Sequence, residues 1–169
     1  NYYNKSISLL RTTEDTVSLA TALINAGDEY FKNRKYDSAM LYFNESGLLF
    51  RKINYLIGTA YTLGNIGMVY AVQGKDELAK ANISEAIAIL EQHQNYIAIS
   101  EYLTYMSDIY LKQKDWPASL SYAQRSLQLA QKFELKKQIS DSNLKLSVFY
   151  EQVGKPSESL RYYKEHIAY

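Results

Sequence analysis

The sequence predicts an all-α protein built as a solenoid of antiparallel helix pairs, about nine helices in all. Three observations carry this reading. Residues recur at a period of forty, apolar positions inside each period follow helical spacing, and only 2 prolines and 7 glycines punctuate 169 residues. Sparse Pro and Gly leave few strong turn signals and favour long helices. Tyr30, Tyr70, Tyr110 and Tyr150 stand forty apart. Three residues before each is a small residue: Gly27, Gly67, Ser107, Ser147. Nine after each come Ala39, Ala79, Ser119 and Ser159, and thirteen after come Phe43, Ile83, Ala123 and Tyr163.

The elements follow in order. Counting back forty from Phe43 reaches Tyr3, and Leu9 shares the phase of Leu49, Ile89 and Leu129. Residues 1–12 therefore read as an orphan second helix whose first helix is absent. Four copies follow at 20–59, 60–99, 100–139 and 140–169, forming one domain over 1–169. In the second copy, Leu63, Ile66, Gly67 and Tyr70 fall at i, i+3, i+4 and i+7, one stripe of a helix. Ala79, Ile83, Ala86, Ile87 and Leu90 make the facing stripe, with a polar turn at Gly74-Lys75-Asp76 between. Gly67 and Ala79 let the helices approach, and Tyr70 fills the space between them. The repeat tyrosines are thus expected in the core, and Tyr2, Tyr42, Tyr122 and Tyr162, in another phase, on an outer face. The last helix, PSESLRYYKEHIAY, stops short of the equivalents of Leu129–Lys132, so the chain reads as a piece of a longer protein. Its uncovered face, Tyr162, Tyr163, Ile167 and Tyr169, is expected to pair with a second copy.

Composition excludes several kinds of chemistry. A net charge of +1 argues against a general nucleic-acid or membrane-surface binder, which carries a basic excess. With no cysteine there are no disulfides, thiolate metal sites or cysteine nucleophiles. No apolar run approaches a membrane span. His93 and His166 lie on different helices without a ligand partner at i+4, so neither zinc binding nor histidine catalysis is supported. Gly74-Lys75 and Gly154-Lys155 are not phosphate loops, because the glycine required five residues earlier is Val69 or Phe149. They read as helix C-caps. The sequons at Asn4, Asn44 and Asn82 fall on predicted helices and are set aside. No catalytic, metal or cofactor site emerges.

The stretches DEYFKNRKYDSAMLYF and DIYLKQKDWPASLSYA resemble tetratricopeptide repeats, which also place an aromatic before the alanine, here Tyr36 and Trp116. That aromatic is replaced by Asp76 and Pro156 in the other copies. The usual repeat has about 34 residues, so a forty-residue period lengthens each helix pair, in stretches such as 54–59 and 95–100. The resemblance implies a right-handed superhelix whose first helices line a concave groove for a protein or peptide. The candidate groove residues are Asn25, Asp28 and Lys32, then Tyr61, Asn65 and Met68, then Tyr105, Asp108 and Lys112, and finally Lys145. In relatives with long repeats an asparagine at the position of Asn25 and Asn65 holds a peptide main chain. Tyr105 and Lys145 depart from that pattern, and the asparagines serve equally well as ties between neighbouring helices. The positions of a chaperone-tail clamp hold Ile24 and Asp28, which argues against chaperone binding.

The closing segment SLRYYKEHIAY is similar to the end of repeat arrays in bacterial multidomain signalling proteins. There a connecting helix, often a membrane span, leads to an adenylate/guanylate cyclase or a sensor histidine kinase. The cyclase is the nearer resemblance. It implies a non-catalytic, soluble regulatory segment that itself touches neither membrane nor nucleic acid. A freestanding adaptor and a peptide-responsive regulator of transcription factors are the alternatives.

Overall fold

The computed structural model describes residues 2–169, with side chains from Lys5 onward, so the readings placed on Tyr2, Tyr3 and Asn4 lie outside the described side chains. Among the described residues every regular element is an α-helix. They are α1 (Tyr2–Leu10), α2 (Thr16–Lys32), α3 (Tyr36–Lys52), α4 (Leu56–Val72), α5 (Asp76–Gln92), α6 (Tyr96–Lys112), α7 (Trp116–Lys132), α8 (Lys136–Gln152) and α9 (Pro156–Ile167). From α2 to α8 each helix has 17 residues. Their first residues stand twenty apart, so the backbone repeats at half the period of the side chains.

The turns explain this regularity. Between successive helices from α2 onward, one residue takes a positive φ: Arg34, Asn54, Gly74, Gln94, Lys114, Glu134 or Gly154. The amide after it reaches back to the third-last residue of the helix, as Tyr55 does to Phe50 O and Lys75 to Tyr70 O, both at 2.9 Å. The positive-φ amide itself reaches the second-last residue, as Asn54 does to Arg51 O at 3.1 Å. This is the Schellman arrangement, which satisfies helix-terminal carbonyls that would otherwise lack donors. At the other ends, Asp15 Oδ1 accepts from Ser18 N at 3.0 Å and Asp115 Oδ1 from Ala118 N at 3.1 Å. Such N-caps contribute about 1 kcal/mol each. Pro117 and Pro156 occupy the first turns of α7 and α9, where no amide is needed. The expected turn at Gly74-Lys75-Asp76 shifts by one residue, because Asp76 already belongs to α5.

The chain divides into two compact units, residues 1–89 and 90–169. In the first, side-chain pairs Tyr30/Tyr42, Gly27/Phe43 and Ala20/Ser46 join α2 to α3. As one number rises the other falls, so the two helices are antiparallel. Phe43 is fully buried in a cluster with Ala39, Ile66 and Val69. Gly27 makes room for it: a Cβ there would lie 2.5 Å from the Phe43 ring. Gly67 stands in the same relation to Ile83, at 2.6 Å. Truncating Phe43 would cost about 3–5 kcal/mol. Ile7 of α1 closes a further cluster with Leu23 and Ala26 of α2.

The second unit uses hydroxyls at the same crossings. Ser107 Oγ and Ser119 Oγ lie 3.2 Å apart, each also donating to the other's backbone carbonyl. Ser100, Ser126 and Ser142 form a buried chain across α6, α7 and α8, with Oγ–Oγ distances of 3.0 and 2.7 Å. Buried hydroxyls are tolerated here because each finds a partner. Ala123 stands at the position of Phe43 and Ser107 at that of Gly27, so a bulkier first-helix residue is matched by a smaller second-helix one. Ser147 pairs with Ser159 at 3.1 Å, and Ser140 with His166 at 2.8 Å, again antiparallel, joining α8 to α9.

Candidate functional site

The candidate residues lie on the first helices of each pair: α2 and α4 in the first unit, α6 and α8 in the second. In the first unit Asn25 and Lys32 are exposed, and Asp28 and Tyr61 are half-buried. Asn65 is 6% exposed and its Nδ2 donates to Asp28 Oδ1 at 2.9 Å. Met68 is 5% exposed. Both are expected to line the groove, and both are buried, which follows from the character of α4. That helix is buried at Gly58, Ala60, Thr62, Ala71 and all of residues 64–69. A helix apolar on nearly every side is enclosed rather than presented.

In the second unit Lys112 is exposed, while Tyr105, Asp108 and Lys145 are half-buried. Lys145 Nζ is bonded to Asp108 Oδ2, an ion pair between neighbouring first helices. Asp108 and Lys145 stand eighty residues beyond Asp28 and Asn65, so the two rungs are the same structural position with different chemistry. The spacing of 37 residues within each rung is what brings an end of one first helix to the middle of the next. Beside the second rung, Lys137 Nζ pairs with Asp141 at 2.6 Å, and that hydrogen bond holds the lysine above its ordinary range. The face thus offers donors and acceptors on side chains that already have partners.

The repeat tyrosines are half-buried, with Tyr30 and Tyr70 packed against the core cluster, and Tyr42, Tyr122 and Tyr162, expected on an outer face, are the partners of three of them. Tyr30 stacks on Tyr42 at 5.2 Å and 12°, Tyr110 on Tyr122 at 5.4 Å and 8°, and Tyr150 on Tyr162 at 5.3 Å and 3°. The twelve-residue spacing across a turn carries this signal, and it is visible in the sequence once both phases are read together. In the second pair the partner position holds Asn82, and Lys75 lies 5.6 Å above the Tyr70 ring instead. Burial, and then the neighbouring Tyr30, push the Tyr42 hydroxyl above its usual range. Burial, and then Tyr162, do the same to Tyr150.

Ser140 and His166 come together, yet they form a tie between helices and not a nucleophile. The Ser140 hydroxyl donates to the His166 backbone carbonyl at 2.8 Å, and His166 Nδ1 lies 3.0 Å from the Ser140 carbonyl. On α9, Tyr162 is taken up by its stack, while Tyr163 and Ile167 are 47% and 65% exposed, and Tyr169 just past the helix is 59% exposed. Among the described residues no group of three His, Asp or Glu side chains could hold a metal, and no helix is long and apolar enough to cross a membrane.

No protein-family model matches the sequence, and comparison with curated proteins finds no match. Solved structures do match. BtubC (BKLC) from P. vanneervenii is 14% identical, with 98% of this chain and 71% of that one covered at a TM-score of 0.79. The apo form of RapI is 16% identical, with 99% and 74% covered at 0.76. The nearly identical TPR-like repeats of a Podosopora anserina kinesin light chain are 11% identical to this chain, with 98% and 82% covered at 0.67. The fold of this chain is therefore a TPR-like array of helix pairs.

Proposed function

We propose that this chain is a non-catalytic interaction module that binds a protein or an extended peptide through its first helices. The observation that carries this reading is the half-buried Asp108–Lys145 rung of the second unit, with half-buried Asp28 at the equivalent position of the first, each flanked by exposed or half-buried polar and aromatic side chains. Amide, carboxylate and ammonium groups can exchange a neighbour for a ligand's main chain at small cost, because the donor and acceptor count is conserved. Asn25, Lys32, Tyr61, Tyr105 and Lys112 extend the same faces. Selection of a displayed peptide library on the immobilised chain tests it. Enrichment of sequences whose binding is lost in Asn25→Ala and Lys145→Ala supports the reading, and enrichment indifferent to both rejects it.

The parent context follows from the resemblance of the closing segment. In this reading the module regulates an adenylate/guanylate cyclase of a bacterial signalling protein and pairs with a second copy through α9. Reading the gene past the codon for Tyr169 tests the first part: a cyclase domain supports it, and a kinase domain or a stop codon overturns it.

A further inference from the structure

Three helix pairs are bridged by parallel tyrosines, α2 to α3 by Tyr30/Tyr42, α6 to α7 by Tyr110/Tyr122 and α8 to α9 by Tyr150/Tyr162. All six rings are half-buried, so a small oxidant can reach an edge while the neighbouring helix fixes the ring. Rings stacked this nearly parallel, with centroids 5.2–5.4 Å apart, set the edge carbons of one ring beside those of the other, the carbons ortho to the hydroxyls among them. Those carbons hold much of the unpaired spin of a phenoxyl radical, and joining two of them makes a dityrosine. We propose that the stacks are oxidative cross-linking sites, at which a one-electron oxidant staples the two helices of a pair through a carbon–carbon bond.

The step balances. Each phenol gives one electron to the oxidant and its hydroxyl proton to solvent. The two phenoxyl radicals join at their ortho carbons, and the hydrogens on those carbons shift to the oxygens to restore both rings. Two tyrosines thus yield one dityrosine, two protons and two electrons, and two equivalents of oxidant are consumed. Proximity is the protein's contribution, since a bimolecular radical coupling becomes an intramolecular one. The bond would close a loop across the turn and so constrain the unfolded chain, as a disulfide does. The second pair is an internal control, because Tyr70 has Asn82 where the others have a tyrosine.

The test is photo-oxidation of the dilute chain with a ruthenium–bipyridyl complex and persulfate, read by dityrosine fluorescence and by mass spectrometry of linked peptides. Links 30–42, 110–122 and 150–162 are expected within single chains. Tyr42→Phe should abolish the first link alone, and Asn82→Tyr should add a link to Tyr70. Links confined to the exposed Tyr55, Tyr163 and Tyr169 would overturn the proposal. So would an equal yield of the three links from chain unfolded in urea before illumination.

Discussion

Asn65 and Asp28, 37 residues apart, meet at 2.9 Å, and eighty residues further along Lys145 and Asp108 meet in the same way. The first rung joins an amide to a carboxylate and the second joins opposite charges. Both Asp108 and Lys145 side chains are about one-third exposed, so solvent screens the pair and its worth is modest. A double-mutant cycle with Asp108→Ala and Lys145→Ala should return a coupling of about 0.5–1 kcal/mol by urea denaturation. A coupling near zero would show that the rung contributes nothing to holding α6 and α8 together.

The match between Gly27 and Phe43 predicts a steric penalty and its cure. Gly27→Ala should lower stability by about 1–3 kcal/mol, since its Cβ collides with a buried ring. Adding Phe43→Ala to Gly27→Ser copies the Ser107/Ala123 arrangement and removes the collision. The double variant should then lose less than the sum of the two single changes. Thermal melts of the four proteins decide this.

Five turns place a side-chain-bearing residue in the left-handed region, among them Glu134 at φ 54° and Gln94 at φ 55°. Left-handed backbone costs an L residue about 1–2 kcal/mol, partly offset by the greater freedom glycine has when unfolded. Glu134→Gly is therefore expected to raise stability by about 0.5–1 kcal/mol. Gly74→Ala should lower it by about 1 kcal/mol through strain alone, since no atom lies within 4 Å of the new Cβ. Chemical denaturation of both variants measures the two signs.

Alkali should weaken the fold in a defined window. Tyr42 and Tyr150 hold their protons more tightly folded than unfolded. Below about pH 10, where a tyrosine in the unfolded chain is neutral, their contribution is complete. Above it the unfolded chain ionises first and binds fewer protons, so stability falls as pH rises. The double variant Tyr42→Phe/Tyr150→Phe should show a shallower decline between about pH 9 and 11, read by urea midpoints.

Tyr163 occupies the position of Phe43, Ile83 and Ala123, all fully buried, yet it stands about half exposed. Ser147, which stands where Gly27 does in the repeat, pairs with Ser159. If α9 pairs with a second copy, Tyr163→Glu with Ile167→Lys should convert a dimer into a monomer in light scattering. A wild-type chain that is monomeric at high micromolar concentration sinks the pairing.

The helix pairs were legible because Tyr30, Tyr70, Tyr110 and Tyr150 repeat without exception and small residues hold fixed offsets from them. The twenty-residue backbone step was not, because glycine marks it only at Gly74 and Gly154. Arg34, Asn54, Gln94, Lys114 and Glu134 take the same conformation without announcing it. Side-chain phase placed Asn65 and Met68 on the face turned toward a ligand, but phase is local. The burial of α4 was legible in its own residues, since Leu56–Val72 carries no charged side chain, and the phase alone did not use that. The tyrosine stacks were missed for a related reason, since each joins two phases that were read separately.

The twenty-residue step has a consequence for how such a chain can change length. Each helix and its turn close their own hydrogen bonds, so a gene can be cut or joined at any turn without orphaning a backbone group. Adding or losing forty residues by unequal recombination returns every side chain to its former phase. Adding or losing twenty would exchange the roles of first and second helices and break the match of Gly27 with Phe43. Growth by pairs is therefore the neutral path, and an array of this kind can be lengthened by copying while its exposed side chains drift independently.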